Sequence, residues 1–204
     1  MKDYSRRRIG RRRPYKILVI VCEGEATEPI YFNHYRTRGK NLKIETPKTK
    51  KTDPVGLAKF ARKQIGRYDL DMRSGDQIWC VFDADHNTDS QISAACRVAS
   101  PQIRIALSNP CFELWFLLHF AYTESKISST DLGLRLKKHL QKYAKTLDVF
   151  NELDPRTDTA IRNAKKLNSY QKNNQILLRS AKSNPSTQVF RIVEAIGDMT
   201  DRYT

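Results

Sequence analysis

The chain has 204 residues, enough for one domain with a sizeable core and an added lobe. Thirty-seven Lys and Arg against 22 Asp and Glu leave a formal charge of +15, which points to phosphate-rich partners, a membrane surface or plain solubility being the other readings. No apolar run is long enough to span a bilayer and no h-region follows the N-terminal arginines, so a membrane or secreted protein is not expected. Four cysteines without paired CxxC spacing argue against a zinc site or disulfide framework and leave the cytoplasm as the expected compartment.

Residues 1–15 read as a basic disordered arm carrying Arg6, Arg7, Arg8, Arg11, Arg12 and Arg13, which would grip nucleic-acid phosphates. Lys16 to Cys22 is a strand apolar on both faces, and Thr27 is expected to cap a helix reaching about Arg38. Leu42 to Thr46 alternates as a second strand. Lys48, Lys50 and Lys51 form a basic loop behind it, a further phosphate contact. Asp53-Pro54 has the form of a cap followed by proline at the first helical position. Gln77 to Phe82 is the third strand and Ile103 to Leu107 the fourth, with a helix through Cys96 and Val98 between them. Ser108-Asn109-Pro110 reads as another helix start, Asn109 being its cap, and the helix behind it (CFELWFLLHF) is apolar almost all round.

Four short strands alternating with helices specify an α/β fold, a mostly parallel four-stranded sheet flanked by helices over residues 16–122. From 123 to 204 the pattern becomes a basic helical lobe packed on the sheet. Its helices are expected at Asp131 to Leu147, at Pro155 to Leu167 and after Asn184-Pro185. Asn184, Ser186 and Thr187 form a cap box whose free N–H groups could take an anion; the purely structural cap is the alternative.

The chemistry concentrates where parallel strands end, because that edge of an open sheet is the ligand crevice. Glu23, Glu25 and Glu28 follow the first strand, and Asp83-Ala84-Asp85 follows the third. Glu25 and Glu28 also suit a helix start, where the dipole favours acids. Crowded carboxylates repel, and a hard oxygen-liganded cation such as magnesium or manganese is the usual remedy, so Glu23, Asp83 and Asp85 are the candidate metal ligands. Glu113, in the first turn of an apolar helix at the same edge, is either a further catalytic ligand or an ion-pair partner of Arg104 or of a lobe cation. His86, beside Asp85, could touch substrate phosphate.

Glu-Gly after one strand with Asp-x-Asp after a later one resembles the Toprim domain of topoisomerases, primases and the overcoming-lysogenization-defect nucleases. More closely, CEGEATEPIYF, VFDADHN, ALSNPCFELWFLLHF and NPSTQVF resemble the RloB family of bacterial defence proteins, across nearly the whole chain. The resemblance implies a Toprim-like fold, with Glu23 as metal ligand or general acid/base and Asp83 and Asp85 as metal ligands. It implies a Mg- or Mn-dependent nuclease, the toxic effector of an antiviral abortive-infection system, working beside an ABC-type ATPase. Its target would be RNA (tRNA included) sooner than DNA. The rival expectation is a non-catalytic nucleic-acid or nucleotide binding module working with such a partner.

Overall fold

The computed structural model describes residues 15–37 and 41–201, so the arginines expected to form the basic arm lie outside the described residues. Five strands make one sheet in the order β2-β1-β3-β4-β5: β1 Lys16–Cys22, β2 Leu42–Glu45, β3 Gln77–Asp83, β4 Ile103–Asn109 and β5 Ser186–Thr187. The first four are parallel, with Leu18 opposite Gln77 and Ile78 opposite Ile103; β5 joins β4 antiparallel, Thr187 facing Ser108. The sheet is therefore mixed and mostly parallel, one strand wider than the expected four.

The apolar runs are continuous because both faces of the sheet are covered. In β1, successive side chains point to opposite faces. Leu18, Ile20 and Cys22 join one core cluster, and Ile17, Val19 and Val21 join the other. The second cluster is closed by α2 (Pro54–Arg67) and α3 (Asp89–Ala99), which offer Leu57, Ala58, Ala61, Ile92 and Ala95. The first is larger and gathers α1 (Thr27–Asn33), α4 (Glu113–Leu117), α5 (Ser129–Lys137), α6 (Phe150–Leu153), α7 (Thr157–Asn173) and α8 (Phe190–Asp201). Tyr31 is fully packed there among Phe32, Phe112, Trp115, Phe116 and Phe150. Among the described residues no helix is long and apolar enough to cross a membrane.

Local signals explain several boundaries. Asp53 caps α2, its Oδ1 accepting from Gly56 N at 2.6 Å, and Thr88 and Gln91 form a reciprocal capping box at α3. Four expectations need correction. Thr27 does not cap α1; Ala26 holds that position, and the Thr27 hydroxyl donates to Lys145 O at 2.8 Å. Ser108 and Asn109 do not start a helix; they prolong β4, and α4 begins only after Phe112. The Asn109 amide donates instead to Ser180 O and Ala181 O, at 3.3 and 3.0 Å. Ser186 and Thr187 are not a helix cap: they form β5, since the buried outer edge of β4 needs partners for its backbone groups. Asn184 clamps a distant loop, Oδ1 accepting from Ile127 N and Nδ2 donating to Ile127 O, each at 2.9 Å.

The helix expected to reach Leu147 stops at Lys137. Leu140 and Tyr143 are nonetheless buried, because tight turns such as Tyr143 N to Leu140 O keep a three-residue spacing without a continuous helix.

Candidate active site

In the order β2-β1-β3-β4 the chain leaves β1 to one side and returns to β3 on the other. The crevice beyond the carboxyl ends of β1 and β3 is thus the topological switch point. Glu23 leaves β1 there and Asp83 ends β3. Glu23 Oε2 accepts from the backbone N–H of Asp83 at 3.0 Å, so the two strand ends are tied through the glutamate itself. The loop behind β1 then folds onto Glu28, whose Oε1 accepts from Gly24 N at 3.1 Å. A β-carbon at Gly24 would stand 2.1 Å from Glu28 Oε2, so any larger residue there must displace the glutamate side chain.

The fourth acid comes from α4. Glu113 is buried, accepts from the Tyr143 hydroxyl at 3.3 Å and faces Lys145 Nζ at 3.7 Å. Of the two ion-pair partners considered for it, a lobe cation is the one present; Arg104 instead donates to Gln77 Oε1 at 2.9 Å. Donor atoms of Asp83, Cys111 and Glu113 lie within 4.8 Å of one another. Asp83 Oδ1 is buried and has no hydrogen-bond partner.

Electrostatics follow from this crowding. Burial pushes the Asp83 carboxyl well above its ordinary range, and the charges of Glu28, Glu113 and Glu23 push the same way against Lys145. Burial also raises Glu28, with Glu113 and Glu23 adding to it. Burial raises Glu23 against the hydrogen bond from Asp83 N. Glu113 in turn holds the Lys145 ammonium above its ordinary value. The Cys111 thiol is pushed up by burial and by Glu113, so it stays protonated.

The structure thus brings together Glu23, Glu28, Asp83 and Glu113. Asp85 stands apart from them in its contacts: Oδ2 accepts from Ser129 Oγ at 2.6 Å and lies 3.6 Å from His86 Nε2. His86 has a left-handed φ of +64° and is almost wholly exposed at the rim. Lys48 and Lys50 line a cavity of about 600 Å³ together with Gly24 and Glu25, which puts the basic loop beside the glutamate loop; Lys51 is exposed next to it. Asn109, Ser186 and Thr187 are committed to backbone and hydroxyl contacts around β4 and β5, and Asn184 to the backbone of Ile127. Cys111, Tyr143 and Lys145 were missed by sequence reasoning. Their only signal was an unpaired acid at Glu113 needing a partner, which did not say where the partner lay.

A family model for RloB-like protein matches residues 18–196, a span that takes in every residue of this cluster. No curated protein and no solved structure matches the chain.

Proposed function

Because the chain belongs to the RloB-like protein family, we propose that it is a metal-dependent phosphodiesterase, a Toprim-type nuclease acting on RNA sooner than DNA. The observation that carries the reading is Asp83: a buried carboxylate oxygen with no hydrogen-bond partner, set among Glu23, Glu28 and Glu113 at the switch point of a parallel sheet. A cluster in which three carboxyls are raised is costly to ionise, and a hard divalent cation fits it through its oxygen donors. Glu23, Asp83 and Glu113 would hold magnesium or manganese, with Glu28 fixing the loop through Gly24; the protonated Cys111 thiol is a poor donor to such an ion. When bound, the cation supplies a Lewis acid at a phosphoryl oxygen. Glu23 serves as a metal ligand or as the general acid/base, and burial raises its carboxyl in the direction proton transfer favours. Lys145, mostly exposed while its ammonium faces Glu113, can meet a substrate phosphate, as can Lys48 and Lys50.

On this reading the protein is the toxic effector of an anti-phage system, held inactive by a neighbouring ABC-type ATPase. The rival, a non-catalytic binding module, draws support from Tyr143 and Lys145, which satisfy Glu113 without any ion. A mixed RNA and DNA pool separates the two. Cleavage that requires Mg²⁺ or Mn²⁺, stops with EDTA and vanishes in Asp83→Asn and Glu23→Gln is the expected result. Binding without cleavage by the wild type and both variants alike favours the module. Host growth on expression alone, against co-expression with the ATPase, tests the sequestration.

A further inference from the structure

A cavity of about 520 Å³ lies between α3, the end of α7 and the start of α8, and none of its lining residues belongs to the acidic edge. Arg97, Lys172, Arg179 and Arg191 line it with no carboxylate among the lining residues, and among the described residues no ion pair holds any of the four. Burial, and after it the like charge of Arg179, depresses Arg191 against the pull of Glu194; Arg179 and Arg191 also line an adjoining cavity that holds Glu194 and Asp198. Such a wall favours a multiply charged oxyanion.

Gln188 supplies the second, independent observation. It is 1 % exposed and lines the same cavity. Its Nε2 donates to Leu178 O at 3.3 Å, while its buried Oε1 has no partner. An unpaired buried acceptor asks for a donor. A phosphodiester or a fully ionised phosphate monoester has none to give, but a nucleobase offers ring N–H or exocyclic amino groups. Leu177, the most exposed large apolar side chain among the described residues at 78 %, stands at the cavity wall and offers a flat base an apolar surface.

We propose that this cavity binds a nucleoside phosphate, its phosphate held by Arg97, Lys172, Arg179 and Arg191 and its base by Gln188 and Leu177. The volume is ample for one nucleotide. The site does not depend on the nuclease reading, since it shares no residue with Glu23, Asp83 or Glu113. The same chemistry is offered by a free mononucleotide and by one nucleotide of a single strand.

Titration of the full chain with AMP, with a fluorescent single-stranded RNA decamer and with inorganic phosphate distinguishes the sources. AMP binding assigns a free nucleotide; decamer binding without AMP binding assigns a strand. In either case the combined variant Arg97→Glu/Arg179→Glu, both on exposed positions, should weaken binding at least tenfold. Gln188→Leu changes no charge and, in the variant shown by thermal melting to be folded, should weaken it severalfold. Glu23→Gln should bind as the wild type does. The proposal is overturned by binding indifferent to Arg97→Glu/Arg179→Glu, by equal binding in a folded Gln188→Leu, by inorganic phosphate competing as well as AMP, or by no binding of either nucleotide probe.

Discussion

At the scale of single residues, Gly24 controls the acidic edge. A methyl group there meets the buried Glu28 carboxylate at 2.1 Å and must displace it from its bond with Gly24 N. Gly24→Ala should therefore cost about 1–3 kcal/mol, the scale of a displaced buried hydrogen bond, and lower cleavage at least tenfold; thermal melting and single-turnover rates check both. Asp83→Asn should act in the opposite sense on stability. It removes a carboxylate penalised first by burial and then by repulsion from Glu28, Glu113 and Glu23, so the metal-free protein should melt no lower, while the rise in melting temperature expected from Mg²⁺ or Mn²⁺ disappears. Glu113→Gln decides between ligand and ion-pair partner by the same two measurements: lost activity at constant stability makes it a ligand, lost stability a partner of Lys145. His119 sets a separate acid limit. Burial holds its pKa down at about 4, its Nδ1 donates to Trp115 O at 2.8 Å and its buried Nε2 has no partner. The unfolded chain takes up that proton first, near the ordinary histidine value of about 6.5. Stability contributed by the neutral ring is therefore complete above that value and falls as pH drops towards 4, by up to about 3 kcal/mol. The raised carboxyls of Glu23, Glu28 and Asp83 act with the other sign: their folded forms hold protons more tightly, so acidification from neutral favours the fold. Chemical denaturation between pH 7 and pH 4 should show His119→Phe losing the acid-labile component and Asp83→Asn losing the opposing one.

At the scale of elements, what was legible in the sequence is what local physics decides. The run KILVIVC could only be a strand covered on both faces, and it is; Asp53-Pro54 could only be a helix start, and it is. Glu23 and Asp83 were readable as neighbours because a parallel sheet brings its strand ends to one edge. Asn109, Ser186 and Thr187 were misread for a physical reason. Ser, Thr and Asn before or after proline carry a local cap signal, whereas their actual roles are satisfied by partners far along the chain, Thr187 by Ser108 at 2.8 Å and Asn109 by Ser180 and Ala181. Tyr143 and Lys145 were illegible in the same way, since their contact with Glu113 spans thirty residues or more. Asn184 shows what such a distant contact contributes. It closes both backbone groups of Ile127, and so ties the start of the α5 segment to the strand that completes the sheet. Asn184→Ala should leave an N–H and a carbonyl unpaired and destabilise by about 1–3 kcal/mol, yet leave the metal-dependent rise in melting temperature intact. If that rise is lost together with stability, the α5 segment and the acidic edge are one cooperative unit.

At the scale of the whole molecule the charges are arranged in opposition. A cluster of buried acids sits in a chain of formal charge +15, and residues 1–13 alone carry Lys2, Arg6, Arg7, Arg8, Arg11, Arg12 and Arg13 against Asp3. Cations so numerous draw a polyanion from a distance, whereas the acidic edge would repel it until a divalent cation compensates the carboxylates. Among the described residues both core clusters begin at Ile17, so the proposed electrostatic grip and the acidic edge are separable by deletion. Deleting residues 1–13 should therefore leave the melting temperature unchanged, since none of the described packing is removed. Binding of single-stranded nucleic acid should weaken, and its dependence on salt should become shallower by about 0.7 in log–log slope for each phosphate no longer neutralised. The comparison is made between low salt and about 200 mM, where counterion release spreads the affinities most. On the proposed nuclease reading, cleavage per bound complex should persist with Mg²⁺ present, because Glu23, Asp83 and Glu113 are untouched. Equal slopes with and without the segment would assign the electrostatic grip to the body of the protein instead, to Lys48, Lys50 and the arginines between α3 and α8.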